Sequence, residues 1–330
     1  MKGNAMATIT IKILAACALA FGVAAFDPGA AQAQTEWPQR TVRLIVPLSP
    51  GTATDVTARA YAEKLSTRWG KPVVVENKPG PDALAAVNTL TTANDEHTLL
   101  FSFGGPVTVN PVLYDKLPYD PERDLVPIVA GADSFIGIAA SAASGITSLK
   151  DLQARARAEP GKLNWASTGG MPQFAFTIFL KSAGVDMTYV PYRDFTPALQ
   201  DVSEGRITAV ATGLLPLLTL LQGGKAHILA VTNHERSSGA PQVPTAIEAG
   251  FPEVVAPSFQ GFFGWRGMCD GLRDRIAADV RAVAPKLPVD RLNALGQIVR
   301  AGTTADFVAM IAEQRAMVEA AVKAGGFSKR

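Results

Sequence analysis

Short apolar, β-branched segments alternate with helical segments along most of this 330-residue chain, and this alternation limits its fold more than any other feature. Val42–Val46 and Thr98–Phe103 are strand-like, whereas apolar residues recur at steps of three and four from Ala58 to Trp69, just before Gly70. Strands that alternate with helices favour parallel pairing and α/β layers. Because the chain exceeds the roughly 250–300 residues at which one core usually divides, we expect two domains.

The same patterns predict individual elements. The predicted strands are Val42–Val46, Val73–Val75, Thr98–Phe103, Val126–Ala130, Phe135–Ala139, Leu163–Ala166, Met187–Val190, Ile207–Thr212 and Ile228–Thr232. Helices are predicted after Ser148, from Thr196-Pro197, and in the stretches "GLRDRIAADVRAVA" and "ADFVAMIAEQRAMVEAAVKAGG". These elements predict mixed sheets flanked by helices.

The N-terminus has the pattern of a secretory signal peptide. Lys2 and Lys12 precede the apolar run Ile13–Phe26, and Ala31-Gln32-Ala33 supplies small residues at a cleavage position. We interpret residues 1–33 as a signal peptide that is removed on export. A membrane anchor is the first alternative, but the run is shorter than about 18–20 residues.

A lipoprotein signal is a second alternative, because Leu14–Cys17 has suitable residues, although the apolar run continues past Cys17. Once the signal peptide is removed, Cys269 is the one remaining cysteine, so no intramolecular disulfide is expected. Neighbours Met268 and Asp270 offer no base to activate this thiol, which favours a packed or idle cysteine over a catalytic one. The formal net charge of +2, without a long basic run, gives no argument for nucleic acid or a membrane surface.

The motifs of common enzymes are missing from the sequence. His97, His227 and His234 are the three histidines, and no pair has metal-ligand spacing on one helix. There is no G-x-S-x-G motif, and Gly223-Gly224-Lys225 lacks the first glycine of a phosphate loop. We therefore expect no catalysis, no metal and no cofactor.

A small polar loop between a strand and a helix occurs three times, at Ser49–Thr54, Ala166–Pro172 and Tyr192–Pro197. Open α/β sheets bind ligands at the carboxyl ends of their strands, where such loops present amides and hydroxyls. Thr52-x-x-Asp55 also fits a capping box, which needs no ligand. Ligand binding and simple capping are both open at this point.

Seven segments, in order, resemble one family and cover nearly the whole chain after residue 33. They are "WPQRTVRLIVPLSPGTATD", "KPVVVENKPG", "LPYDPERDL", "GKLNWAS", "VPYRDFTPALQDV", "ILAVTN" and "VPTAIEAGFPE". The chain resembles the Bug-type, TctC-like periplasmic solute-binding receptors of tripartite tricarboxylate transporters.

This resemblance implies a two-domain periplasmic-binding-protein fold of the Venus flytrap type II class, with a ligand cleft between the domains. It places domain 1 at residues 34–133 plus 257–330 and domain 2 at 134–256, with crossings near Asp133 and Pro257. The implied protein is a periplasmic monomer that captures a small organic anion, a carboxylate above all. Its implied partners are the permease subunits of a tripartite tricarboxylate transporter, or it serves as a sensor.

Carried over by position, the resemblance implies eight ligand-binding residues: Ser49, Gly51, Thr52, Asp55, Ser167, Thr168, Gly169 and Thr212. The sequence departs from the family around these positions. Thr52 replaces a frequent glycine, Pro81-Asp82-Ala83 replaces a glycine-rich run, and Arg193-Asp194 replaces a frequent Lys-Gly pair. The family's ligand preferences therefore do not transfer to this chain.

Three other readings stay open from the sequence. A receptor for an ATP-driven importer would have the same fold. A secreted enzyme of unknown chemistry would reveal itself by turnover alone. A scaffold whose cleft binds nothing is compatible with the departures around the cleft.

Overall fold

The computed structural model describes residues 37–93, 95–192 and 195–323. The predicted signal peptide and Cys17 lie outside these residues. Within Met1–Gln39, the described residues include a cis peptide bond between Trp37 and Pro38. Arg40–Arg330 form the other structural unit. None of the helices in the described ranges is long and apolar enough to span a membrane.

Eleven strands are seen in the described residues. They are β1 (Val42–Val46), β2 (Val73–Asn77), β3 (Thr98–Phe103), β4 (Val126–Ser134), β5 (Ile136–Ser141), β6 (Asn164–Ser167), β7 (Thr188–Tyr189), β8 (Ala209–Gly213), β9 (Ala226–Val231), β10 (Ser258–Gly264) and β11 (Gln297–Val299).

The α-helices of the same residues are α1 (Ala53–Trp69), α2 (Leu84–Ala93), α3 (Gly105–Thr108), α4 (Asn110–Leu113), α5 (Leu149–Ala158), α6 (Met171–Ala183), α7 (Phe195–Ser203), α8 (Leu214–Gln222), α9 (Asp270–Val283), α10 (Val289–Ala294) and α11 (Thr304–Lys323). Short 3₁₀ turns occur at Pro81–Ala83, Ala142–Ser144, Pro252–Val254 and Ala284–Lys286.

The strands form two mixed sheets, and each sheet has an inner strand that runs antiparallel to both of its neighbours. The six-stranded sheet has the order β11-β4-β10-β3-β1-β2, and the five-stranded sheet has the order β7-β6-β8-β5-β9. In the first sheet β10 runs antiparallel to both neighbours, and in the second β5 does the same. We call the six-stranded sheet with its helices the first lobe, and the five-stranded sheet with its helices the second lobe. The predicted α/β class with mixed sheets is confirmed.

Most predicted elements are present, and two strands were missed. β1 and β3 have their predicted bounds, and α5 follows Ser148, whose side chain accepts a hydrogen bond from the Asp151 amide. The missed strands are β10 and β11. β10 has the sequence SFQGFFG, whose glycines lower strand propensity. Gly261 is required there because a Cβ at this position would overlap the ring of Phe307 in α11.

The chain passes between the sheets through short segments. β4 ends at Ser134 and β5 begins at Ile136, so one residue separates strands of different sheets. The return passes through Pro257 into β10. A buried apolar cluster also lies at this junction. It contains Val109 and Leu113 of the first lobe, Met171 and Phe174 of α6, and Val318 of α11.

Candidate functional site

The loop after β1 is held by a hydrogen-bonded turn at the start of α1. The Thr52 hydroxyl donates to the Ser49 carbonyl oxygen at 2.9 Å and accepts from the Asp55 amide at 3.4 Å. Thr52 is thus the N-cap of α1, as the capping alternative predicts. Ser49 and Gly51 are exposed, and Thr52 is half-buried.

Asp55 is buried, and its carboxylate accepts hydrogen bonds that hold the same loop. It accepts hydrogen bonds from the Gly51 amide at 2.9 Å, from Arg59 Nε at 3.0 and 3.1 Å, and from Asn77 Nδ2 at 2.9 Å. Asn77 also donates to the Leu48 carbonyl oxygen, which ties the loops after β1 and β2 together. Burial raises the pKa of the Asp55 carboxyl, but these donors lower it by more, so that the pKa lies below its ordinary value.

The first turn of α1 supplies the groups that an anion needs. The first amides of a helix have no intrahelical acceptor, and the helix dipole places partial positive charge there. Thr52 satisfies the amide of Asp55, which leaves those of Ala53 and Thr54 at the helix end. The loop can therefore orient a carboxylate toward the N-terminus of a 17-residue helix.

The second predicted group lies at the carboxyl ends of β6 and β8, which are parallel neighbours. The Thr168 hydroxyl is 3.4 Å from the Thr212 hydroxyl, within hydrogen-bond reach. Ser167 and Thr212 are buried, whereas Thr168 and Gly169 are partly exposed. Thr212 lies inside β8. The structure thus brings all four predicted residues of the second lobe to one sheet edge.

The hydroxyl of Ser167 is the notable polar group at this edge. It is buried, and it has no hydrogen-bond partner among the residues that the structure describes. Buried polar groups without a partner are rare in proteins and cost free energy. Ser141 has the same property, but it ends β5, whose direction places it at the opposite edge of the sheet. A buried hydroxyl without a partner therefore does not identify a binding site by itself. Ser167 is distinguished from Ser141 by its position at the carboxyl ends of β6 and β8.

A residue outside the predicted set lies close to the second group. Asp82 follows β2 in the first lobe, and its Oδ1 would come within 2.9 Å of a Cβ placed on Gly169 in the second lobe. The sequence singled out Asp82 as a departure from the family, but it gave no sign of this contact. The third predicted loop includes residues 193 and 194, which lie outside the described ranges.

A buried polar network joins the start of α1 to the junction of the lobes. The side-chain amide of Gln260 donates to the Thr54 hydroxyl at 2.9 Å and to the Ser134 hydroxyl at 2.7 Å. The Ser134 hydroxyl in turn donates to Gln297 Oε1 at 3.1 Å. Thr54 is the last residue of the predicted loop Ser49–Thr54. Direct contacts therefore couple a change in that loop to Ser134, where the chain leaves the first sheet.

Comparisons with known proteins agree on one family and one fold. A family model for the tripartite tricarboxylate transporter family receptor matches residues 57–326. Protein BugT of Bordetella pertussis is 32% identical over 224 residues, 67% of this chain and 69% of that protein.

Two solved structures of similar proteins contain ligands. R. palustris Rpa4515 with adipate is 28% identical with a TM-score of 0.81, covering 88% of this chain and 99% of that chain. MatC (Rpa3494) from Rhodopseudomonas palustris with bound malate is 27% identical with a TM-score of 0.78, covering 87% and 100%.

Proposed function

Because the chain belongs to the tripartite tricarboxylate transporter receptor family, we propose that it binds a small organic acid between its two lobes through the loops after β1 and β6. The family predicted from the sequence motifs is confirmed, and its receptors are solute-binding proteins of the periplasm. The adipate and malate bound by the two similar structures support a carboxylate as the ligand.

The single observation that carries the proposal is the group of hydroxyls at the carboxyl ends of β6 and β8 in the second lobe. Ser167 presents a buried hydroxyl that has no partner in the described part of the chain, next to the hydroxyl pair of Thr168 and Thr212. The N-terminus of the 13-residue helix α6 follows directly, with its positive dipole end. Hydroxyls and a helix N-terminus together bind an anionic oxygen without a basic side chain.

On the first lobe, we assign two roles to the predicted residues. Ser49, Gly51 and Thr52 form the binding turn, in which Ser49 and Gly51 are exposed and Thr52 is half-buried. Asp55 is assigned to the positioning of that turn, since its carboxylate oxygens already accept from Gly51 and Asn77. A preorganised loop binds more tightly because less conformational entropy is lost on binding.

We further propose that the lobes are separate domains, 34–133 with 257–330 and 134–256, which close on the ligand. Support comes from the strands: β1 to β4, β10 and β11 share one sheet, and β5 to β9 share the other. The short connections at residues 134–136 and 257–258 are suited to a hinge. The protein is expected to act as a monomer.

We also propose export with cleavage after residue 33, delivery of the ligand to the permease of a tripartite tricarboxylate transporter, and no chemical turnover. The family favours this partner over an ATP-driven importer. N-terminal sequencing of the exported protein should begin at Gln34, and a lipid on Cys17 would contradict this. Incubated ligand should be recovered unchanged by NMR, and a new product would support the enzyme reading instead.

The test of binding is a thermal-shift screen of mono-, di- and tricarboxylates, amino acids and aromatic acids, followed by calorimetry of each hit. Ser167→Ala should weaken binding about tenfold or more, because a hydrogen bond to a charged group contributes about 1.5–3 kcal/mol and each 1.4 kcal/mol is about a factor of ten. Ser141→Ala is the matched control, because it removes an equally buried hydroxyl at the opposite edge, and its affinity should equal that of the wild type. No hit in the screen, or equal losses in the two variants, would refute the proposed site.

A further inference from the structure

The 3₁₀ turn after β2 has an unusual backbone. Asp82 and Ala83 have φ angles of 51° and 61°, in the left-handed region that non-glycine residues seldom adopt. Two such residues in succession persist only where the surroundings hold them. The side chain of Asn110, which is buried, donates to the Asp82 carbonyl oxygen at 2.9 Å and so holds this turn.

The side chain of Asp82 is held as well. The Tyr114 hydroxyl donates to its Oδ2 at 2.5 Å. Its Oδ1 faces the second lobe, where a Cβ on Gly169 would lie 2.9 Å away from it. The absence of a side chain at Gly169 therefore makes room for the carboxylate of Asp82.

This position lies within the proposed binding edge. Gly169 is one residue from Thr168 and two from Ser167, and α6 begins at Met171. A carboxylate from the first lobe thus lies next to Gly169, in the segment between those hydroxyls and the start of α6. Like charges at such short range in a partly desolvated site repel each other strongly.

We propose that Asp82 determines the charge of the ligand by excluding a second ligand carboxylate from the Gly169 side of the cleft. The inference rests on the proposed function. The ligand then has one carboxylate, and it presents a neutral or cationic group to Asp82. Adipate and malate, bound by the two similar structures, are dicarboxylates, so this chain differs from those proteins in its ligand class.

The test compares ligands that differ in charge at one end. The pairs are adipate with 5-aminopentanoate, glutarate with 4-aminobutanoate, and succinate with 3-aminopropanoate, each pair sharing its number of methylenes. By calorimetry, wild-type protein should bind the amino acid of the best pair at least tenfold more tightly than the dicarboxylate. Asp82→Asn should reduce that ratio at least tenfold, mainly by gaining affinity for the dicarboxylate.

Asparagine is the right replacement because it keeps the shape, can still accept from Tyr114 and tolerates the left-handed backbone. The control is Asp270→Asn, which makes the same charge change at an exposed position at the start of α9 and should leave the ratio unaltered. If Asp82→Asn fails to fold, the ratio of the amino-acid affinity to the dicarboxylate affinity, measured on wild-type protein, still decides whether the proposal holds.

The outcomes separate the two proposals. If wild-type protein binds dicarboxylates at least as tightly as their amino partners, or if Asp82→Asn leaves the ratio unchanged, the role of Asp82 is wrong while carboxylate binding stands. If no organic acid in the wider screen binds either protein, the proposed function fails and the inference fails with it.

Discussion

The backbone amide of Gly51 donates a hydrogen bond to the buried carboxylate of Asp55 at 2.9 Å. This contact fixes an exposed loop to a side chain that is itself held by Arg59 and Asn77. The Thr52 hydroxyl also holds the loop by donating to the Ser49 carbonyl oxygen at 2.9 Å, but the Asp55 carboxylate is the acceptor for the Gly51 amide. The binding turn should therefore be sensitive to the charge of Asp55.

Asp55→Asn is expected to destabilise the protein and to weaken ligand binding together. Hydrogen bonds to a charged group contribute about 1.5–3 kcal/mol, and asparagine retains one of the two acceptor oxygens, so the free energy of unfolding should fall by about 1–3 kcal/mol. Chemical denaturation measures the first effect and calorimetry the second. Asp306→Asn is the control: it removes an acceptor of the Thr303 amide at the start of α11, and it should lower stability without a change in affinity.

The stability that Asp55 contributes should depend on pH in one direction. Its pKa lies below the ordinary value in the folded protein, so the unfolded chain binds the proton more readily. The contribution is therefore complete above the unfolded pKa of about 3.9 and is lost as the pH falls through the folded pKa. The difference in unfolding free energy between wild type and Asp55→Asn should be constant from pH 7 to about 5 and shrink below it. A difference that grows in acid would contradict this sign.

Thr52→Val tests whether the N-cap hydroxyl also matters for the ligand. Loss of an N-cap acceptor costs about 0.5–2 kcal/mol of stability, and we expect affinity for the best acid to fall about tenfold as the turn loosens. Ser148→Ala removes a comparable cap from α5 in the second lobe and should affect stability alone. If Thr52→Val also changes stability alone, the hydroxyl is a helix cap and nothing more.

The local sequence pattern was enough to predict those elements that are determined by residues close to them in the chain. β1 (VRLIV) and β3 (TLLFSF) are rich in apolar residues, and Ser148 is a cap that acts three residues away. The choice of Thr168 and Thr212 came from the resemblance to the family, and the structure brings their hydroxyls to 3.4 Å from each other.

Contacts between distant parts of the chain were not predictable in this way. β10 is a strand despite its glycines because Gly261 admits the ring of Phe307 from α11. The approach of Asp82 to Gly169 likewise joins two loops of different lobes, and each loop alone reads as an ordinary turn. A single sequence carries no signal for either contact.

Gly261→Ala should show how tightly α11 packs on the first sheet. The added methyl group would overlap the Phe307 ring, which is fully buried and in ring contact with Phe259 and Phe263. Overpacking of this kind typically costs about 1–3 kcal/mol, and thermal melting should report it. Gly271→Ala, in α9 where a Cβ meets no atom within 4 Å, is the control and should melt at or above the wild-type temperature.

Ligand binding should reduce the size of the molecule in solution. A ligand shifts a conformational equilibrium only if it binds one form better, and a closed cleft offers contacts from Thr52 on one lobe and Ser167 on the other at the same time. The radius of gyration from small-angle scattering should therefore be smaller at saturation with the best acid than in its absence. Ser167→Ala at the same ligand concentration should keep the larger radius, because its affinity is lower, and should reach the smaller one when the ligand is raised about tenfold. An unchanged radius in the saturated wild-type protein would mean that binding occurs without closure, and the proposed hinge at residues 134–136 would then be wrong.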